Sequence, residues 1–258
     1  MRPLVVSVLS CEKPDSRPPR MNHGAKLTPT VVASLRDSFS DRRIAVVACL
    51  GLFSSLVIGT IAFRIAYTGR TEHIMIGWNL FLAWVPFVLA LIVYDRARAG
   101  ASTSALWGAA VLWLLFLPNA PYLVTDLKHI DGFGGVQALY DVVLLVSAAA
   151  TGLLLGLTSL FLMHAVARRM VGAFSAWAFV VGVLVLSSFG IYLGRVQRWN
   201  SWDVFVRPGS LFRDIAGGLL HPLNHPRPIT VTLLFTSFLL ASYVAFYSFA
   251  RRASLVND

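Results

Sequence analysis

The chain has 258 residues, 57% of them hydrophobic and only 13% charged, with a mean hydropathy of +0.70. That composition excludes a soluble domain with a solvated surface, because whole windows of about 20 residues, the length a helix needs to cross hydrocarbon, carry no charge. The net charge of +10 does not indicate nucleic acid: Lys and Arg sit in short segments between apolar runs and not in a stripe on a soluble face.

Residues 1–43 contain eight Lys or Arg, four acidic residues and prolines at 3, 14, 18, 19 and 29. This stretch is too polar to bury a core and reads as a disordered basic tail. The opening Met1 to Cys11 has only a faint likeness to a lipoprotein signal; a start at Met21 is the alternative. Neither Cys11 nor Cys49 has the neighbours that a disulfide framework or a thiolate metal site requires.

Apolar runs follow at 44–66, 74–94, 104–125, 138–163, 171–193 and 229–250, each long enough to span. The predicted fold is therefore an all-α polytopic bundle of about six transmembrane helices over 44–250. The tail, Arg96 with Arg98, Arg168 with Arg169, and Arg251 with Arg252 fall on one side, which the positive-inside rule makes cytoplasmic; both termini then lie there, residues 251–258 as a short tail. The dissent comes from segment 194–228, which carries five arginines yet falls on the outer side, with Asp203 and Asp214 nearby. A short interfacial helix is expected there from Ser210, stopped by the Pro-rich run His221 to Pro228.

With that topology the polar residues converge on the outer side. Asn79 begins the second span, Asn119, Tyr122 and Asp126 end the third, Tyr140 and Asp141 begin the fourth, and Tyr192 and Arg195 end the fifth. In PNAPYLVTDL, Pro118 to Leu127, two prolines three residues apart remove backbone donors and should break the helix. Irregular backbone at membrane depth needs protein or a water-filled cavity to satisfy it, so this segment is expected to face a polar pocket, with Asn119, Tyr122 and Asp126 on one face. A helix that simply ends at Pro121 is the plain alternative. Asp141 is placed to pair with Arg195 or Arg198 across the bundle.

The run RVQRWNSWDVF, Arg195 to Phe205, brings Arg198, Asn200, Trp202 and Asp203 close to Arg195. Guanidinium forks suit phosphate or carboxylate, and indoles suit sugars or the interface, so this is a candidate surface for an anionic or sugar-bearing headgroup; belt anchoring explains the same residues structurally. His129, His221 and His225 are the only histidines whose placement could suggest a metal, and prolines spoil their spacing, so no metal site and no cofactor are assigned. An echo of Trp78, Leu80, Phe81, Leu82 and Pro86 in Trp113, Leu115, Phe116, Leu117 and Pro121 hints at the inverted Pro-interrupted spans of transporters, although chance similarity of two Leu- and Phe-rich helices accounts for it more simply.

The segments WNLFLAWVPF (Trp78 to Phe87), LWLLFLPNAPYLVTDLKHI (Leu112 to Ile130), YD (Tyr140, Asp141) and RWNSWD (Arg198 to Asp203) together resemble the bacterial integral membrane proteins catalogued as domain of unknown function 1361, over roughly residues 45–250. The resemblance implies a polytopic inner-membrane protein and carries over no catalytic role. The resulting expectation is an outward-facing polar pocket for a lipid or other envelope headgroup, lipid or glycan, with the bilayer as the general partner; whether any reaction occurs is left open. Asn79, Asn119, Tyr122, Asp126, Asp141, Arg195, Arg198, Asn200, Trp202 and Asp203 are the binding candidates. A small transporter and a ligand-free membrane assembly partner are the alternatives.

Overall fold

A computed structural model describes residues 29–69, 71, 73–129, 135–197, 199, 206, 208–210 and 227–255. The chain divides into two units, Met1–Ala45 and Val46–Asp258. In the first, the described backbone is helical from Pro29. Proline suits a helix's first turn, where an N–H would lack a partner anyway, and no Gly or Pro interrupts 30–43.

The elements are α1 (Pro29–Thr68), α2 (Ile74–Arg98), α3 (Thr103–Phe116), α4 (Asn119–Tyr122), a 3-10 turn (Leu123–His129), α5 (Gly135–Val196) and α6 (Arg227–Leu255). No strand occurs among the described residues. Five helical stretches are long and apolar enough to cross a membrane, and the fold is an all-α membrane bundle. One of the five, Leu139–Val196, has 58 residues, about 87 Å of helix against roughly 30 Å of hydrocarbon. It folds back at Gly172, whose φ of 82° and ψ of 173° are not helical and whose left-handed φ only glycine adopts cheaply. The rings of His164 and Trp177 meet across that bend at 4.9 Å. α5 therefore holds both runs expected at 138–163 and 171–193, as two antiparallel arms.

Helix ends are set by local chemistry. Gly69, at φ 66°, caps α1 by donating to the Ile65 carbonyl. After α2, Gly100 at φ 78° donates to Ala97 and Ala101 donates to Arg96, the paired bonds of a Schellman turn that leads directly into α3. Pro86, by contrast, lies within an unbroken α2, whereas Pro118 and Pro121 fall where the third span loses its α-helical form. The echo between the two spans does not extend to their backbones.

One core cluster joins α2, α3, α6 and both arms of α5 around Trp113, Leu160, Val180 and Tyr243; a second joins α1, α2 and α4 with the first arm around Val57, Leu80, Phe87 and Leu144. Two indoles cross-link helices with hydrogen bonds: Trp84 donates to Ser54 at 3.0 Å, and Trp113 donates to Ser159 at 2.6 Å, which in turn donates to the Pro86 carbonyl at 3.1 Å. Such bonds matter where no water competes for the buried N–H.

Candidate functional site

At its prolines the third span loses its regular α-helical hydrogen-bond ladder, although Leu117, Pro118 and Leu123 keep right-handed helical φ/ψ. α3 stops at Phe116, and after α4 the chain tightens into the 3-10 turn, which holds Asp126. Protein groups take up carbonyls along this stretch. The Asn119 amide donates to the Phe116 carbonyl at 2.9 Å, the Thr125 hydroxyl to the Tyr122 carbonyl at 2.6 Å, and the Arg195 guanidinium to the Thr125 carbonyl at 2.9 Å. This is how irregular backbone survives in a bilayer.

Arg195, at the end of α5, also donates to the Asp126 carboxylate at 3.0 Å and to the Tyr122 hydroxyl at 3.4 Å, and its guanidinium carbon lies 5.5 Å from the Tyr122 ring centre. Asn79, from the start of α2, donates to the other Asp126 oxygen at 3.4 Å. Four expected site residues (Asn79, Tyr122, Asp126 and Arg195) thus meet, with side-chain exposures of only 8% at Asp126 and 18% at Arg195. Asn119 lies on the same segment, and its amide donates back to the last residue of α3. An ion pair buried to this degree is costly unless its groups find further partners, and this guanidinium fork serves a carboxylate and a carbonyl together.

Four glycines admit the broken span, and sequence reasoning missed them. A Cβ at Gly152 would collide with the Ala120 carbonyl oxygen and Leu123; at Gly156 it would stand 3.3 Å from Ala120 Cβ; at Gly190 it would collide with the Pro118 ring at 2.7 Å; at Gly194 it would meet the Tyr122 ring at 3.3 Å. They form two G-x-x-x-G pairs, Gly152 with Gly156 on the first arm of α5 and Gly190 with Gly194 on the second. That spacing was legible as a close-packing signal between membrane helices.

Asp141 does not pair with Arg195. Its carboxylate lies 2.7 Å from Arg64 Nε, near the end of α1, and 3.6 Å from His73 Nε2. The physical reason is that Asp126 and the free carbonyl of Thr125 already hold Arg195, while Asp141, on the first arm of α5, lies against α1. Arg198, Asn200, Trp202, Asp203, His221 and His225, and the helix expected from Ser210 as far as Leu211 to Leu220, lie outside the described residues, as does the His129 side chain. No group of three His, Cys, Asp or Glu side chains able to hold a metal occurs among the described residues.

The opposite end of the bundle has a different chemistry. Arg98 and Arg169 lie over the Tyr94 ring at 5.8 and 5.7 Å, Arg251 lies over Tyr247 at 5.6 Å, and Arg168 donates to the Tyr247 hydroxyl at 2.5 Å. Beneath them His164 is buried among Trp177, Tyr243 and Tyr247, its Nδ1 2.7 Å from the Tyr243 hydroxyl. This aromatic knot ties α6 to both arms of α5, and its residues were not singled out by the sequence reading. Arginines on aromatic faces at a membrane border are anchors of the interface.

A bundle of long apolar helices, with a buried ion pair on a broken span at one end and arginines at the other, defines a multi-pass membrane protein. The family model described as "Protein of unknown function (DUF1361)" matches residues 78–242, and the chain belongs to that family. The match opens at Trp78, so α1 with Arg64 lies before it, which is narrower than the range 45–250 expected from the motifs. Neither the curated proteins nor the solved structures compared with this chain include a match.

Proposed function

We propose that this protein lies in the bacterial inner membrane with its arginine-rich end in the cytoplasm, and that the opposite end binds the headgroup of an envelope molecule, a lipid or a glycan. The observation that carries the reading is the Asp126–Arg195 pair, with Asn79 and Tyr122 beside it, set on a broken span at the end away from Arg98, Arg168 and Arg169. Ionisable groups held at membrane depth on irregular backbone are the default place to look for function in such proteins. Tyr122 and Asn79 sit at the margin of the pair at 3.4 Å, the longer contacts of the network, and are the groups a ligand would recruit first.

Native mass spectrometry of the full chain purified with its membrane tests this. A retained lipid or glycan should be lost from Asn79→Ala and Tyr122→Phe, two changes that leave the ion pair in place. Absence of any retained species in the wild type, or retention of every wild-type species by both variants, would refute the reading. The broken span also supports a small transporter, since discontinuous helices build the midplane sites of many transporters; solute uptake into vesicles that contain the protein would favour that second reading.

A further inference from the structure

Beside the second core, α1 and the start of α5 leave an open groove of ≈ 710 Å³ between them. Its walls include Ser55, Gly59, Thr60 and Phe63 from α1 and Tyr140 and Val143 from α5. The hydroxyls of Ser55 and Thr60 donate to the carbonyls of Gly51 and Leu56 on their own helix, at 2.9 and 2.8 Å, so the slot makes no polar demand. Gly59 opens it: a Cβ there would meet nothing within 4 Å. At one end the Phe63 and Tyr140 rings meet at 5.6 Å, and the next residue on each helix is charged, Arg64 and Asp141, joined at 2.7 Å with His73 at 3.6 Å from the carboxylate.

From Ser55 to Phe63 the helix rises about 12 Å, close to the roughly 15 Å of one leaflet's hydrocarbon. An apolar slot one leaflet deep that ends at charged side chains has the dimensions of a single lipid. Arg64, Asp141 and His73 are not part of the lining but flank its Phe63–Tyr140 end, and their charges are mixed. A guanidinium and an imidazole offer donors to a phosphate, while the Asp141 carboxylate offers an acceptor to an ammonium; a purely anionic headgroup would face that carboxylate, and a quaternary amine would bring it no N–H.

We propose that the α1–α5 groove is a site for one phospholipid with a primary-amine headgroup, one of its acyl chains in the slot, its phosphate on Arg64 and His73 and its amine on Asp141. This site goes beyond the headgroup reading at Asp126 and Arg195: it uses other residues, and its α1 wall precedes the family's matched segment.

The experiment is native mass spectrometry of the full chain released from nanodiscs of equal parts phosphatidylethanolamine, phosphatidylcholine and phosphatidylglycerol. The wild type should retain one phosphatidylethanolamine about tenfold in excess of either competitor, the ratio expected for one charge-assisted hydrogen bond. Gly59→Phe, which fills the slot from an open position, should remove that adduct. Asp141→Asn should level phosphatidylethanolamine with phosphatidylcholine. Asn79→Ala should leave the adduct in place, so that failure at the Asp126–Arg195 site and failure here are told apart. Equal retention of the three lipids, or an adduct indifferent to Gly59→Phe, would overturn the proposal. So would a dimer that Gly59→Phe dissociates with no loss of lipid, because the groove would then belong to a second copy.

Discussion

Arg195 and Asp126 are 69 residues apart in sequence and 3.0 Å apart in space, and the same guanidinium holds the Thr125 carbonyl at 2.9 Å. One side chain therefore neutralises a buried carboxylate and repairs the backbone of the broken span, fastening the third span to the last turn of α5.

The first prediction follows from that double duty. Arg195→Gln and Asp126→Asn should each destabilise the protein, by about 3–5 kcal/mol as for a buried pair that loses one partner. Arg195→Gln should be the more damaging, because it also frees the Thr125 carbonyl. In the double variant the loss should fall short of the sum by about 0.5–3 kcal/mol. Thermal unfolding in detergent measures all three; strict additivity would mean that the two residues do not act as a pair.

A second prediction concerns the glycine cradle. Gly152→Ala and Gly190→Ala drive a methyl into the Ala120 carbonyl and the Pro118 ring, respectively, and should cost about 1–3 kcal/mol as overpacking. Gly51→Ala and Gly182→Ala meet nothing within 4 Å and should be neutral or stabilising by about 0.5–1 kcal/mol, the helical advantage of alanine. If the four variants unfold alike, the broken span does not rest on α5 as closely as described.

Third, Ser159 joins three helices through one hydroxyl, accepting from Trp113 and donating to the Pro86 carbonyl. Ser159→Ala should strand the buried indole N–H and cost about 1–3 kcal/mol. Ser55→Ala, which removes a hydroxyl exposed on α1 and bonded only within its own helix, should change stability by less than about 0.5 kcal/mol. Denaturation of both variants side by side separates a structural relay from an incidental contact.

Much of the bundle was legible because hydrophobic length is a strong signal: the six apolar runs correspond to α1, α2, the α3–α4 span, the two arms of α5, and α6. The break at Pro118 and Pro121 was legible because a missing N–H is a local fact. Partner choice was not. Asn79, Tyr122, Asp126 and Arg195 were each singled out by their place at the outer ends of spans, but place alone does not say which carboxylate an arginine meets, and Asp141 went to Arg64. The glycine cradle was written in the sequence as two G-x-x-x-G pairs and went unread, since glycine announces a close approach without naming what approaches.

The last prediction fixes sidedness, on which the headgroup reading depends. Because α5 reverses at Gly172, its two arms cross separately, so the ends of α2, of the first arm of α5 and of α6 share one side, the side of Arg98, Arg169 and Arg251. Arginines close to span ends make that the side the proposed function puts in the cytoplasm. Reporters fused after Arg98, after Arg169 and at Asp258 should therefore give cytoplasmic signals, and reporters near Gly132 and Gly209 should give outside signals. An outside signal after Arg169 with a cytoplasmic one after Arg98 would mean that α5 does not reverse in the membrane. A cytoplasmic signal near Gly132 would put Asp126 and Arg195 on the inner face, where no envelope glycan is present, and the proposed ligand would have to be abandoned even though the ion pair stood.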